Sequence, residues 1–390
     1  MLGRGAFASV DDTNTRRYLF YADTPIQVAN CVSLALQGIQ DASPEEHHLF
    51  IYGNFSNSQQ MYDFARKSGA FKKVFLFESE KIPTRELGKK QTYEVLINLY
   101  YGHHFLKEIP SFVEDVFYSA MLMSCSTIVT YDIFLRLRTT NPDLEILLYE
   151  DGTGTYTGNV FRGLAFPGEV PTCVRNRLVV RAAKVFLSLT ANSYHAYPIT
   201  KLFVKRPELI RNDFGIEISR FSLAKVVTSN NLLSPNSIVK TIADSTILYL
   251  EPPTSSDIYG LSVDIERELV AHNIRFSLRR HPRTLIKGSG LDSVPDCTGG
   301  LWESLCFHMN RASSTLVGFC SSSMLAPAIE FSFYPKIILL NGLIEREKSA
   351  SDVDQIVQML KTLYVGRESL ISIPRTIDDL ISLISVDHNV

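Results

Sequence analysis

Leu144-Glu145-Ile146-Leu147-Leu148-Tyr149-Glu150-Asp151-Gly152 runs from an apolar segment straight into two carboxylates and a glycine. A short apolar run bounded by a turn signal reads as a buried strand, here Leu144–Tyr149. In parallel α/β sheets the carboxyl ends of strands open into the ligand crevice. Glu150 and Asp151 are therefore placed where a ligand would lie, and a carboxylate there can serve as general base toward a hydroxyl. Gly152 allows a sharp turn and a close approach. The competing reading is a plain Asp-Gly turn. The loop that follows, Thr153-Gly154-Thr155-Tyr156-Thr157-Gly158, is rich in hydroxyls.

Upstream, the spacing of apolar residues predicts strands at Tyr18–Ala22, Leu49–Tyr52 and Val74–Phe77. Helices are predicted at Pro25–Leu36, Gln59–Ser68 and across Glu86–Lys107. The alternation restarts downstream. Strands are predicted at Thr246–Leu250, Arg275–Leu278, Thr315–Phe319 and Lys336–Leu340, with helices at Val263–His272, Ser323–Phe331, Val353–Leu363 and Ile377–Ile384. Strands that alternate with helices imply parallel sheets with helical crossovers. A chain of 390 residues exceeds one ordinary core, so two domains are expected. Asn230–Ser237 reads as the linker between them. Two α/β domains facing a cleft is the layout of a GT-B glycosyltransferase.

Composition excludes several classes. Apolar residues make up 45% and charged residues 21%, as in a soluble globular protein. A net charge of −2 carries no signature of nucleic-acid binding. Met1–Arg17 has no apolar core region, so no signal peptide is expected, and no apolar run is long enough to span a bilayer. The six cysteines form no CxxC pair and sit mostly in apolar runs. Buried free thiols in a reducing cytoplasm are expected. Thr172–Lys225 holds ten Lys and Arg against three Asp and Glu. Such a segment suits an anionic membrane surface or is simply a solvated face.

Three further places carry candidate chemistry. Arg280-His281-Pro282-Arg283 follows a strand. Pro282 fixes the backbone there, His281 can donate a hydrogen bond or a proton to a departing phosphate, and Arg279, Arg280 and Arg283 add positive potential. Gly318-Phe319-Cys320-Ser321-Ser322-Ser323 feeds a strand into a serine run that opens a helix. The serines can cap that helix, or the same geometry can bind an anion. Asp23-Thr24-Pro25-Ile26-Gln27 follows the first strand, with Thr24 and Gln27 matching a capping box and Pro25 at the first helical position.

In this order the acidic pair with glycine, the His-Pro dipeptide and the later serine pair resemble the motifs shared by bacterial sialyltransferases. Thr24-Pro25-x-Gln27 after strand one resembles the start of the lipooligosaccharide and capsule sialyltransferases of glycosyltransferase family 52. The resemblance spans roughly residues 18–345. It implies an inverting transferase that moves sialic acid from CMP-sialic acid to a hydroxyl of a terminal sugar, galactose in the first instance, on a bacterial surface glycan. It maps the general base to Asp151 and the phosphate contact to His281. The serine pair falls on Ser322-Ser323 or Ser321-Ser322, and the ribose contact on Glu303. Glu150, Gly152, Pro282, Thr24 and Gln27 complete the substrate and donor set. The resemblance also implies domains at 17–230 (acceptor side) and 240–390 (CMP-donor side), after a disordered tail at 1–16. The last helix is free to pack back on the first domain. Acceptor-determining loops are expected at Thr153–Val170 and residues 86–125.

A CMP donor leaves as a phosphate monoester, so hydrogen-bond donors and a helix N-terminus can replace a divalent metal. No metal and no other cofactor are expected. The one Asp-x-Asp, Asp352-Val353-Asp354, reads as first-turn helix acids. His47-His48 and His103-His104 diverge as neighbours and chelate poorly. Expected partners are CMP-sialic acid and a glycan acceptor, lipid-linked at the inner membrane in one reading, with a cytoplasmic enzyme lying peripherally on it. Other readings keep the architecture with a CMP-Kdo or UDP-sugar donor, extend a polysialic chain, or bind a nucleotide sugar without turnover. A glycoside hydrolase is disfavoured, because Glu150 and Asp151 are adjacent and face apart.

Overall fold

The computed structural model describes residues 15–39, 44–53, 55, 57–78, 110–125, 127–156, 198–210, 215–228, 233, 235–252, 258–281, 294–319, 321–344 and 350–385. The chain divides into two compact units. The first comprises Met1–Asp151, Gly158–Val204 and Asp213–Phe221; the second comprises Gly152–Thr157, Lys205–Asn212 and Ser222–Val390.

The first unit is a seven-stranded parallel sheet. Its strands are β1 (Arg16–Ala22), β2 (Glu45–Tyr52), β3 (Lys73–Phe77), β4 (Ala120–Met123), β5 (Glu145–Tyr149), β6 (Ile199–Val204) and β7 (Glu217–Arg220), in the order β3-β2-β1-β4-β5-β6-β7. The order reverses between β1 and β4, which is the topological switch point of a doubly wound sheet. β1, an interior strand of this parallel sheet, is buried without interruption from Tyr18 to Ala22. Fully burying one such large apolar side chain is worth about 1.5–3 kcal/mol. The helix Pro25–Gln37 starts where its sequence says it should, with Pro25 at the first helical position and Thr24 as N-cap.

The second unit is a five-stranded parallel sheet of β8 (Ile247–Leu250), β9 (Ser277–Arg279), β10 (Thr315–Gly318), β11 (Lys336–Leu339) and β12 (Ile371–Ser372), in the order β12-β11-β10-β8-β9. Here the switch point lies between β8 and β10. Its core joins Tyr249, Ile265, Leu269, Leu278, Val317 and Ile338 to Leu380 and Ile384 of the last helix, Ile377–Ser385. That helix therefore packs into the second unit's own core.

Two other expectations change. Within the stretch expected to be a linker, Asn230–Ser237, residues 230–232 and 234 lie outside the described residues, while Leu233 is buried and a helix begins. Leu233 is 2% exposed and its carbonyl accepts a hydrogen bond from Leu301 N at 2.8 Å, and a helix, Asn236–Asp244, starts inside the stretch. The chain makes its last passage between units at Phe221/Ser222, after two earlier excursions into the second unit, Gly152–Thr157 and Lys205–Asn212. Second, β4, β6 and β7 with the helix Ile128–Thr140 were not anticipated. They are short or carry charges within the apolar run, so periodicity alone does not mark them. The helix expected across Glu86–Lys107 lies outside the described residues.

Candidate functional site

In the first unit the site is built at the carboxyl ends of β1 and β5. Tyr149 ends β5 and is wholly buried, and its hydroxyl donates to the carbonyl of Tyr21 at 2.6 Å, fastening the two strand ends together. Glu150 follows at 1% exposure. Its amide donates to Phe203 O at 2.9 Å and its carbonyl accepts from Asn30 Nδ2 at 2.9 Å. Glu150 is thus turned into the unit, and of the acidic pair only Asp151, half-buried, stands at the edge. Gly152 has φ +102°, a conformation that side-chain-bearing residues rarely adopt.

Gln27 connects the two strand ends. Its Oε1 accepts from the backbone N–H of Asp23 at 2.8 Å, and its Nε2 donates to Asp151 Oδ1 at 2.9 Å. A backbone N–H can only donate, so the amide orientation is set by Asp23 and the Nε2 must face Asp151. Asp151 is held as an acceptor, the form a general base requires. The capping box is half realised. Thr24 Oγ1 accepts from Gln27 N at 3.3 Å, but the Gln27 side chain bonds one residue ahead of the cap and reaches across to β5. Gln27, 1% exposed, is a positioning residue for Asp151.

In the second unit, parallel register aligns three strand ends on one edge. Leu250 pairs with Arg279 of β9 on one side and with Gly318 of β10 on the other. His281, half-buried, leaves β9, and Ser321 leaves β10. Their strands are two strand spacings apart, about 10 Å. Pro282 lies outside the described residues. Ser321 occupies the N-cap of the helix Ser322–Phe331 with extended backbone (φ −147°, ψ 163°), yet its hydroxyl makes no capping hydrogen bond. Plain capping does not account for the serine run. Ser322 is exposed, Ser321 and Ser323 are half-buried, and a Cβ added at Gly152 would lie 4.0 Å from Ser322 Cβ. Glu303 is half-buried in the first turn of the helix Trp302–Phe307.

Sequence reasoning missed several groups here. Glu251, 4% exposed, directly follows β8 at the switch point. Its Oε1 lies 3.9 Å from the Arg280 guanidinium, which also reaches Asp296 at 3.3 Å. Glu266, fully buried, stands behind Glu251, and burial followed by the Glu251 charge pushes its carboxyl up to about 7. The Glu-Pro-Pro exit from β8 was visible in the sequence, but nothing local distinguished it from a turn. Arg279 is no source of surface potential: its guanidinium is buried against backbone carbonyls.

The histidine pair of β2 is structural. His47 bonds Glu45 at 3.0 Å; His48 Nδ1 bonds the Tyr118 hydroxyl at 2.5 Å, and its Nε2 lies 2.9 Å from a Glu46 carboxylate oxygen. Burial lowers both, His48 to about 4, so both are neutral near pH 7. Among the described residues no group of three or more His, Cys, Asp or Glu is placed to hold a metal ion. His103 and His104 lie outside them. Cys31, Cys297 and Cys306 are buried free thiols and Cys125 is a half-buried one. In the basic segment, Lys201 pairs with Glu217 at 2.7 Å and Lys205 with Glu330 at 2.5 Å. No helix among the described residues is long and apolar enough to cross a membrane.

A groove at the opposite edge of the second sheet is lined by Asp244, His272, Arg275 and Ser277. It lies at the amino ends of β8 and β9, the wrong end for ligands of a parallel sheet.

No family model and no curated protein matches the chain. Solved structures do. The glycotransferase of kitacinnamycin aligns with a TM-score of 0.50 at 10% identity, covering 95% of this chain and 90% of that one. The spinosyn forosaminyltransferase SpnP gives 0.49 at 11%, covering 95% and 91%. The UDP-GlcNAc 2-epimerase of Methanocaldococcus jannaschii, solved with UDP-GlcNAc and UDP, gives 0.47 at 13%, covering 96% and 93%. At such identities likeness speaks to fold alone: the chain has an α/β fold of the GT-B type, with two Rossmann-like parallel sheets.

Proposed function

We propose that the chain is a metal-independent, inverting sialyltransferase, moving sialic acid from CMP-sialic acid to a hydroxyl of a terminal sugar, galactose in the first instance, of a bacterial surface glycan. The observation that carries the reading is the Gln27–Asp151 hydrogen bond, 2.9 Å, which holds a carboxylate at a strand end as an acceptor. The Ser321 hydroxyl, which makes no capping hydrogen bond at the start of the serine helix, supports it from the phosphate side. The GT-B fold is used by transferases such as the kitacinnamycin glycotransferase. The reading places the enzyme in the cytoplasm with a lipid-linked acceptor at the inner membrane.

The chemistry follows from the charges. The acceptor oxygen attacks the anomeric carbon as the bond from that carbon to the CMP phosphate oxygen breaks. Asp151 takes the acceptor proton. The departing phosphate gains charge, and His281, the serine hydroxyls and the free N–H groups of the helix start are the donors that meet it. Each such donor is worth about 3–4 kcal/mol in an oxyanion-hole setting. Glu303 is assigned to the ribose.

The test is transfer from CMP-sialic acid to a panel of galactosides in EDTA, with Asp151→Asn alongside. Product that resists EDTA and disappears in the variant supports donor, base and metal independence together. A folded protein that releases no CMP but turns over CMP-Kdo or a UDP-sugar keeps the architecture and removes the sialic-acid donor.

A further inference from the structure

The serine helix contains a proline, Pro327, in its interior. Proline has no N–H, and its ring crowds the carbonyl four residues earlier. That carbonyl belongs to Ser323, the last residue of the serine run. It has lost its intrahelical donor at the point where the helix would meet an anion. The indole of Trp302, the only tryptophan in the chain, supplies a replacement: its Nε1–H donates to Ser323 O at 2.8 Å.

Trp302 is itself held. The Arg279 guanidinium lies 5.0 Å from the centre of its ring. That guanidinium is fixed in turn, Nη1 donating to Cys297 O and Gly299 O at 3.0 Å each and Nη2 to Gly300 O at 3.3 Å. Gly300 has φ +65°, and a Cβ there would lie 2.8 Å from Leu233 O, so the loop beneath the arginine has little room to move. Arg279 is the last residue of β9, two before His281. Trp302 is 6% exposed and directly precedes Glu303. All these groups lie in the second unit.

We infer that Trp302 is a positioning residue for the donor: its indole N–H replaces the backbone donor that Pro327 removes, and with Arg279 it braces the start of the serine helix against the strand end that carries His281. The inference rests on the proposed function only in taking the serine helix as the phosphate site. It does not depend on which nucleotide or sugar the phosphate carries. Without the indole, the Ser323 carbonyl is an unpaired acceptor, and the first turn is free to tilt.

The experiment measures CMP and UDP binding by calorimetry for the native protein, Trp302→Phe, Pro327→Ala and the double variant. Phenylalanine keeps a ring under Arg279 and removes only the N–H. Trp302→Phe is expected to weaken nucleotide binding about tenfold, the scale of one hydrogen bond with a desolvated partner. Pro327→Ala alone is expected to bind as the native protein does. In the double variant the Pro327→Ala change restores a backbone N–H that can reach Ser323 O, so most of the loss is recovered. A purely structural role for the ring would show no such rescue. The native protein gives a variant-free check, since saturating nucleotide should change Trp302 emission. A double variant as weak as Trp302→Phe overturns the inference. So does native-like binding in Trp302→Phe, or an unchanged emission with nucleotide bound. If only UDP binds and the pattern holds, the CMP reading fails and the brace stands. If neither binds to native protein, both fall.

Discussion

Glu266 makes the second unit sensitive to pH in a way that can be worked out beforehand. It lies on the helix Tyr259–Ala271 and is wholly buried. Its Oε1 accepts from Ser262 Oγ at 3.3 Å, Ser262 in turn meets the Tyr249 hydroxyl at 2.9 Å, and Glu266 Oε2 has no hydrogen-bond partner among the described residues. Burial, then the Glu251 charge, raises the carboxyl from 4.5 to about 7; Arg280 and Arg267 oppose the rise. Between those two values the folded chain keeps a proton that the unfolded chain has released. Stability therefore falls as pH rises. The contribution is complete below the unfolded value, is lost progressively on the way up, and is gone above about 7. At about 1.4 kcal/mol per pH unit, the loss between pH 5 and 8 is on the order of 2.5 kcal/mol. Glu266→Gln keeps an acceptor for Ser262 and cannot ionise, so that part of the slope should vanish. The assay is urea unfolding at pH 5 and pH 8, followed by the emission of Trp302, which reports the second unit. Titrating groups remote from Glu266 act equally on both proteins, so the difference between them isolates Glu266 together with its coupling to Glu251. Equal pH dependence in native protein and variant would refute the reasoning.

The remaining predictions concern the site and its supports. Asp151→Asn should lower turnover by about 10²–10⁴ while leaving nucleotide binding intact, measured as transfer rate beside calorimetric affinity. Gln27→Ala should lower kcat about tenfold with the donor KM unchanged, and Gln27→Glu should lower it further by setting a second carboxylate against Asp151. Lys205→Ala leaves the Glu330 side chain, 3% exposed, as a buried charge without its lysine and should cost about 3–5 kcal/mol in urea unfolding. Burial pushes the thiols of Cys31 to about 12 and Cys297 to about 11, so at pH 8 a thiol reagent should label them only in denaturant.

Much of this molecule was legible as sequence because the signals are local. Apolar runs such as Ile146–Tyr149 and Leu248–Leu250 mark buried parallel strands, which have no solvated face to interrupt them. Thr24-Pro25 marks a helix start because cap and first-turn geometry involve only neighbours. Strands alternating with helices in two successive units were enough to expect the fold type, and the order of the acidic pair, His281 and the serine run to nominate the residues. Strand ends moved by one to a few residues, and Ala120–Met123 escaped, since its alanine, leucine and methionines carry none of the β-branched or aromatic residues that mark a strand.

Only the tertiary structure decided which polar group meets which. Gln27 and Asp151 are 124 residues apart, and no periodicity pairs them. Glu150 and Asp151 look alike in sequence, yet the end of β5 turns one inward and leaves the other at the edge. Pro327 reads as a flaw in a helix until the indole of Trp302 is found on the carbonyl it abandoned, 21 residues away in the chain. Glu266 reads as a solvated helix acid until β8 brings Glu251 and Tyr249 beside it. The physical reason is the same each time. Covalent neighbours and backbone hydrogen bonds fix elements, whereas the partner of a buried polar side chain is chosen by whatever packing brings within about 3 Å and shields from water.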